Sequence, residues 1–358
     1  MNDHRDILDL LIVPNMTETR LHKLLARFKE PNAVKRATRS ELTEVVGSDM
    51  AYRIQQSLAG SAVDRYLKIM DRLSIAIVPY YAVGYPAWLK AMDHFPPVLF
   101  IFGQIEPADE NALAIVGTRG ATVYGKGVAA NFAAEFVRAG ITVVSGMARG
   151  IDTAAHTSAL KNGGRTIAVL GCGLDITYPP ENRRLMAEIA TRGAVISEFV
   201  VGTPPLAQNF PKRNRIIAGL SRAIVAIEAK EQSGVMNTVN WAVSQGKDVF
   251  AIPGNIYSKT SAGTNRLIKE GATPVTSATE VLESLGLPAN RLPRPVREVS
   301  LDDQEHVIWE ALSAEPVYLD ELAERTGRAT AGLLKTLLGL EIKGLIRQLP
   351  GMMFVKNP

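Results

Sequence analysis

One cysteine, Cys172, stands among 358 residues. That count excludes an internal disulfide framework and any cysteine-based zinc site, and it fits a reducing compartment. Long apolar runs are lacking too. The N-terminal stretch Ile7 to Val13 is interrupted by Asp9 and is too short and too poorly flanked for a signal peptide or a span. Nothing else approaches the ~20 apolar residues a membrane helix needs, so a cytoplasmic protein without a membrane span is expected. Standard nucleotide motifs are missing. Gly117-Thr118-Arg119-Gly120 is not Gly-x-Gly-x-x-Gly, and no Gly-Lys-Ser/Thr triplet follows a glycine loop. No cluster of ligand-type residues has metal spacing, and neither metal nor cofactor is expected.

What is present is a chain of ordinary globular composition, 46% hydrophobic and 21% charged, with a net charge of +4. Its length implies two or three domains, and its mild basicity permits a nucleic-acid partner without demonstrating one. Residues 1–65 read as short helices, with Leu21, Leu24, Leu25 and Phe28 at helical spacing and Thr38-Arg39-Ser40-Glu41 as a capping box. Two helix–turn–helix units there resemble tandem helix-hairpin-helix (SAM-like) modules. However, Asn15-Met16-Thr17 lacks the glycine pattern with which such hairpins hold phosphates, and the local charge is nearly balanced. A structural helical domain is the reading.

From about residue 75 short apolar runs alternate with helical stretches: Leu113–Val116, Ile141–Val144, Thr166–Leu170, Ala194–Ser197, Ala223–Ile227 and Val249–Ile252. Continuous apolar strands alternating with helices predict a parallel sheet covered on both faces, an extended Rossmann-like α/β domain over residues 66–288. Three strands run into glycine turns, carrying Gly117 and Gly120, Gly146 and Gly150, and Gly171 and Gly173. Arg119 and Arg149 are embedded in two of them. Ligands of open α/β sheets bind at that edge, and glycines let backbone N–H groups approach an anion.

The stretch Phe210-Pro211-Lys212-Arg213-Asn214-Arg215 precedes an apolar helical run. Cations at a helix start add to its unpaired N–H groups and dipole, which suits phosphate. The candidate phosphate or nucleic-acid set is therefore Gly117, Thr118, Arg119, Ser145, Gly146, Arg149, Gly150, Gly171, Gly173, Phe210, Lys212, Arg213, Asn214 and Arg215. Catalytic candidates are thin. Asp152 and His156 lie four apart on one helix, Asp175 and Glu198 near strand ends, and the first pair reads as structural, so no catalytic residue is assigned.

A Pro- and Arg-rich linker spans 289–300, and residues 301–358 order as helix, helix, helix and hairpin, the order of a winged helix. This last segment has six Lys or Arg against nine Asp or Glu, a net of −3, leaving +7 for the rest. A DNA reader shows a basic face; the acidic balance makes this segment a protein-contacting module.

The ordered motifs are similar to those of the DprA/Smf family of bacterial DNA-processing proteins. They are Ile115-Val116-Gly117-Thr118-Arg119 with Tyr124-Gly125, Ser145 to Asp152 with Ala155-His156, Gly171 to Asp175 with Tyr178-Pro179, Phe210 to Ile217, Ser233-Gly234, Val249 to Gly254 and Gly271-Ala272. The resemblance implies a dimer that binds single-stranded DNA without sequence preference, protects incoming strands in natural transformation and helps load the RecA recombinase. It places Arg119, Phe210, Lys212 and Arg213 on the strand. The glycine-poor first hairpin and Met236-Asn237 after Ser-Gly depart from the family pattern. The alternative is a related Rossmann enzyme that cleaves nucleoside monophosphates. It would need a Pro-Gly-Gly-x-Gly-Thr loop, whereas the Pro-Gly of this domain, Pro253-Gly254, is followed by Asn255.

Overall fold

A computed structural model describes residues 2–59, 63–287, 301–313 and 315–356; the expected linker at 289–300 lies outside the described residues. A nine-stranded sheet organises the chain. Its strands are β1 (Ile75–Pro79), β2 (Val98–Gly103), β3 (Leu113–Val116), β4 (Val143–Ser145), β5 (Thr166–Leu170), β6 (Ala194–Ser197), β7 (Ala223–Ala226), β8 (Asp248–Ala251) and β9 (Thr273–Pro274). Their spatial order is β1-β2-β6-β5-β4-β3-β7-β8-β9. The seven strands from β6 to β9 pair in parallel.

The apolar runs become central strands because both faces are buried. Leu113 and Ile115 point to one face, where Phe132 and Phe136 of helix Val123–Arg138 and Ala155 and Ala159 of helix Ile151–Lys161 pack. Ala114 and Val116 point to the other, against Ile216 and Ile217 of helix Asn209–Leu220 and Val235 and Val239 of helix Gly234–Ser244. The sheet is not parallel throughout: β1 and β2 join antiparallel to each other and to β6. β1 alternates buried with more exposed positions, the pattern of an edge strand with only one face covered.

The N-terminal region is helical, from Asn2–Leu11 to Val63–Leu73. The expected division after residue 65 falls inside that last helix, which leads into β1. The Thr38–Glu41 capping box forms in both directions. Leu21, Leu24 and Leu25 of helix Glu18–Phe28 share a core with Ile77 of β1, Phe100 of β2 and Val195 of β6, so the helical region is fused to the sheet edge. The C-terminal segment is a winged helix. Helices Asp303–Ala311, Leu319–Thr326 and Thr330–Ile342 pack on β10 (Val317–Tyr318), β11 (Ile346–Leu349) and β12 (Met353–Lys356). Gly327 closes the second helix in the left-handed conformation, and Gly351, at φ 84°, turns the hairpin. Among the described residues no helix is long and apolar enough to cross a membrane.

Sequence order reverses at β3, whose neighbours are β4 and β7. That is the switch point at which open α/β sheets leave a crevice beyond their carboxyl ends.

Candidate nucleic-acid interface

A cleft of about 570 Å³ opens there. Each strand around the switch point contributes a wall: Gly117 to Gly120 after β3, Ala148 and Asp152 after β4, Tyr178 after β5, Phe210, Arg213 and Asn214 after β6, and Lys230, Ser233 and Val235 after β7. At its centre stands the half-buried Phe210 ring. The Arg119 guanidinium carbon lies 5.2 Å from the ring centroid and that of Arg213 at 5.9 Å. The Tyr178 ring is tilted against it at 5.3 Å. The Arg119 contact is exposed and contributes on the order of 0.5–1 kcal/mol, so an incoming π-face can displace it at small cost.

Helix Asn209–Leu220 positions these groups by its period. Residues 210, 213, 214 and 217 share one face and line the cleft. The Arg213 guanidinium is buried, at 4% exposure. It donates to the Gly146 carbonyl at 2.8 Å and to the Val169 carbonyl, tying the helix to the ends of β4 and β5. Burial pulls its pKa down to about 10, against the pull of Asp152, so it stays charged at neutral pH. Asn214 accepts from Arg213 Nε at 3.2 Å and donates to Asn237 Oδ1 at 3.2 Å and to the Gly234 carbonyl at 3.3 Å. At the far end, Lys247 Nζ donates to the Ala218 and Gly219 carbonyls, and burial lowers its pKa to about 8. A cation there complements the helix dipole.

Several expected phosphate contacts are placed otherwise. Lys212 and Arg215 lie on a different helix face from the cleft. Arg215, 3% exposed, bonds Glu18 at 2.5 Å and Glu198 at 2.7 Å, and Lys212 Nζ lies 3.2 Å from Glu198 and over the Phe199 ring. Their charges answer carboxylates of helix Glu18–Phe28 and of the segment after β6. Arg149 points outward into a bidentate pair with Glu181. The Ser145 hydroxyl is buried on the Ile115 carbonyl at 2.7 Å. The Thr118 amide is used by the Glu228 carbonyl and the Gly173 amide by the Thr203 carbonyl, so neither N–H is offered to an anion.

The glycines serve close packing more than anion approach. A β-carbon on Gly146 would lie 2.7 Å from the Arg213 guanidinium, and one on Gly117 would collide with Ile151. Gly150, at φ 81°, passes the Thr118 carbonyl where a β-carbon would come within 2.4 Å. Gly171 backs the Phe210 ring, and Gly173 abuts Asp175 and Val201.

Tyr178, Lys230, Ser233 and Thr238 are absent from the set expected from sequence, although all four line the cleft. The available signal was adjacency: residues after β7 must stand beside those after β3. Ser233 Oγ is buried with no hydrogen-bond partner at the start of helix Gly234–Ser244.

The acid–base candidates lie apart from one another in role. Asp152 accepts from the Ala148 amide at 3.2 Å, and burial pushes its carboxyl above the usual range. His156 is fully buried. Thr166 Oγ1 donates to the Val143 carbonyl, so it accepts from the His156 Nδ1–H at 2.6 Å, which leaves Nε2 bare. Burial, then Arg213, lower the imidazole pKa from 6.5 to about 3. Below pH 6.5 the unfolded chain therefore takes up a proton that the folded chain refuses. Stability from this group is complete above pH 6.5 and is lost as pH falls toward 3, by up to ~1.4 kcal/mol per unit. Asp152 has the opposite sign, so the comparison must be between slopes. His156→Asn, which keeps an N–H for Thr166, is expected to flatten the rise of the urea midpoint between about pH 5 and 6.5. Equal slopes in variant and parent would contradict the neutral imidazole. Among the described residues no group of three His, Cys, Asp or Glu is placed to hold a metal ion.

Known proteins share this architecture. Residues 76–286 match the family model described as DNA recombination-mediator protein A, and residues 292–352 match that of the DprA winged helix domain. The chain is 37% identical over 303 residues to Protein Smf of Escherichia coli, covering 82% of this chain and 81% of that one. It is 44% identical over 198 residues to DNA processing protein DprA of Streptococcus pneumoniae, covering 55% and 70%. The X-ray structure of the S. pneumoniae protein superposes with a TM-score of 0.70 at 34% identity, over 78% of this chain and 97% of that one. DNA processing protein A from Helicobacter pylori, whose structure concerns a single-stranded DNA binding mode, superposes at 0.54 with 28% identity, over 60% and 96%.

Proposed function

The chain belongs to the DNA recombination-mediator protein A family, and from that premise we propose that its switch-point cleft binds single-stranded DNA without sequence preference. The carrying observation is the Phe210 ring standing in the cleft with the Arg119 and Arg213 guanidinium groups both against it. Strand binding without sequence preference combines cations that track phosphates with an aromatic face for a base, worth ~1–3 kcal/mol per base. Phe210 is that face, backed by Tyr178. Arg119, exposed at the mouth, and Lys230 on the opposite wall are the phosphate contacts, and Arg213 supplies a fixed charge beneath the ring. Lys212 and Arg215 fall outside this set, because their charges are already answered by Glu18 and Glu198.

The finer reading is that of the family resemblance. The protein protects strands taken up in natural transformation and, as a homodimer in the cytoplasm, helps load the RecA recombinase. The acidic winged helix is then a protein contact. We read the cleft as a binding site and not an active site, since His156 is buried and neutral and Glu198 is held by Arg215 and Lys212. A titration with short oligo-dT at two salt concentrations tests the reading. Binding that weakens as salt rises is expected, with a log–log slope of about −0.7 per phosphate contact. No binding at low salt, or release of base from nucleoside monophosphates, would overturn it.

A further inference from the structure

Glu228 joins the cleft to a second exposed feature. Its carboxylate is 4% exposed and accepts from the Thr122 amide at 2.9 Å, the Thr122 hydroxyl at 2.6 Å and Thr260 Oγ1 at 3.4 Å, while its carbonyl accepts from the Thr118 amide. One buried residue thus fixes the Arg119 turn, the start of helix Val123–Arg138 and the loop after β8. Each of the last two carries a solvent-facing tyrosine. Tyr124, in the first turn of the helix, is 48% exposed, and Tyr257, in the loop, is 89% exposed beside Ile256 at 79%. The exposed cation Lys259 stands two residues beyond Tyr257 in the loop, whereas Lys126, two residues beyond Tyr124 in helix Val123–Arg138, leaves the helix on a different face from the ring.

The Tyr257 loop is built, not slack. Asn265 holds the Gly254 amide and carbonyl at 3.1 and 2.9 Å, the Tyr257 amide donates to Asn255 Oδ1 at 2.9 Å, and the Ala229 amide donates to the Thr260 carbonyl at 2.7 Å. Ala229 precedes Lys230 of the cleft wall. A ring presented to water from a pinned backbone has little ordering entropy left to lose on binding, and an aromatic beside a cation is the pairing that holds an unpaired nucleotide.

We infer that Tyr124 and Tyr257, with Lys259, continue the single-strand track beyond Arg119 and stack nucleotides that have left the cleft. The inference rests on the reading of the cleft as a single-strand site. Continuity through Glu228, and not exposure alone, names the occupant as the same strand.

The test uses the full chain and its Tyr124→Ala/Tyr257→Ala and Tyr124→Phe/Tyr257→Phe variants. Anisotropy titrations are run with oligo-dT of about 5 and about 20 nucleotides, and sedimentation is measured without DNA. The double alanine variant should bind the short oligomer as the parent does. It should bind the long one about fivefold or more weaker per tyrosine, with the phenylalanine variant unchanged. Equal long-oligomer affinity in parent and alanine variant would overturn the track. So would equal losses at both lengths, or a changed sedimentation coefficient, which would make the loop an interface between copies. A parent that binds neither oligomer would refute the cleft reading itself, a distinct result.

Discussion

Replacing Arg119 by glutamate is expected to weaken oligo-dT binding at low salt by about tenfold or more, and to lower the salt slope by about 0.7, the share of a single phosphate. Two effects add. The cation over Phe210 is removed, and an anion is put where a phosphate should lie, among the remaining charges of Arg213 and Lys230. Stability should hardly move, because Arg119 is exposed and its ring contact is worth under about 1 kcal/mol. Arg119→Gln should fall between parent and Glu in affinity. Unchanged binding in a folded Arg119→Glu protein would remove this residue from the phosphate track, and with it the main exposed cation of the cleft mouth.

The sharpness of that expectation comes from the helix that carries Phe210. Four basic or amide side chains follow the ring in sequence, yet the 100° step between residues divides them. Arg213 and Asn214 turn to the cleft, while Lys212 and Arg215 turn to Glu18 and Glu198. A segment that reads as one basic cluster is two clusters of different partners. Only Arg213 keeps its charge directed at the cleft.

The strands were legible because parallel strands buried on both faces need uninterrupted apolar runs, and Leu113–Val116 or Ala223–Ala226 cannot be read as anything polar. The glycine turns were legible as the ends of those strands. Their purpose was not: Gly146 clears space for Arg213, a residue 67 positions away. Distance along the chain also hid the partner of Arg215, since Glu18 is 197 residues removed. Lys230 and Ser233 were missed because their place depends on β7 lying beside β3, a pairing no local pattern encodes. The antiparallel edge was missed for the same reason. The winged helix, by contrast, depends on contacts within some fifty residues, and its helices and hairpin could be read in order.

Arg213→Met should cost far more than Arg119→Glu in stability and at least as much in binding. Methionine fills similar volume but leaves the Gly146 and Val169 carbonyls without their donor and Asp152 without its buried counter-charge. Each unsatisfied buried group costs ~1–3 kcal/mol, so a destabilisation of about 3–5 kcal/mol is expected, a large share of the ~5–15 kcal/mol that holds a domain folded. The urea midpoint should fall with the slope of the transition unchanged. Binding, measured on protein still folded in the cold, should fall as well, because the turn after β4 and the Phe210 ring are deprived of their common anchor. Arg215→Met provides the contrast. It strands Glu18 and Glu198 beside each other and should also lower the midpoint, but it leaves the cleft face of the helix intact, so the affinity of the folded protein for oligo-dT should stay within about twofold. If folded Arg215→Met bound as weakly as Arg213→Met does, the division of the helix into a cleft face and an anchoring face would be wrong.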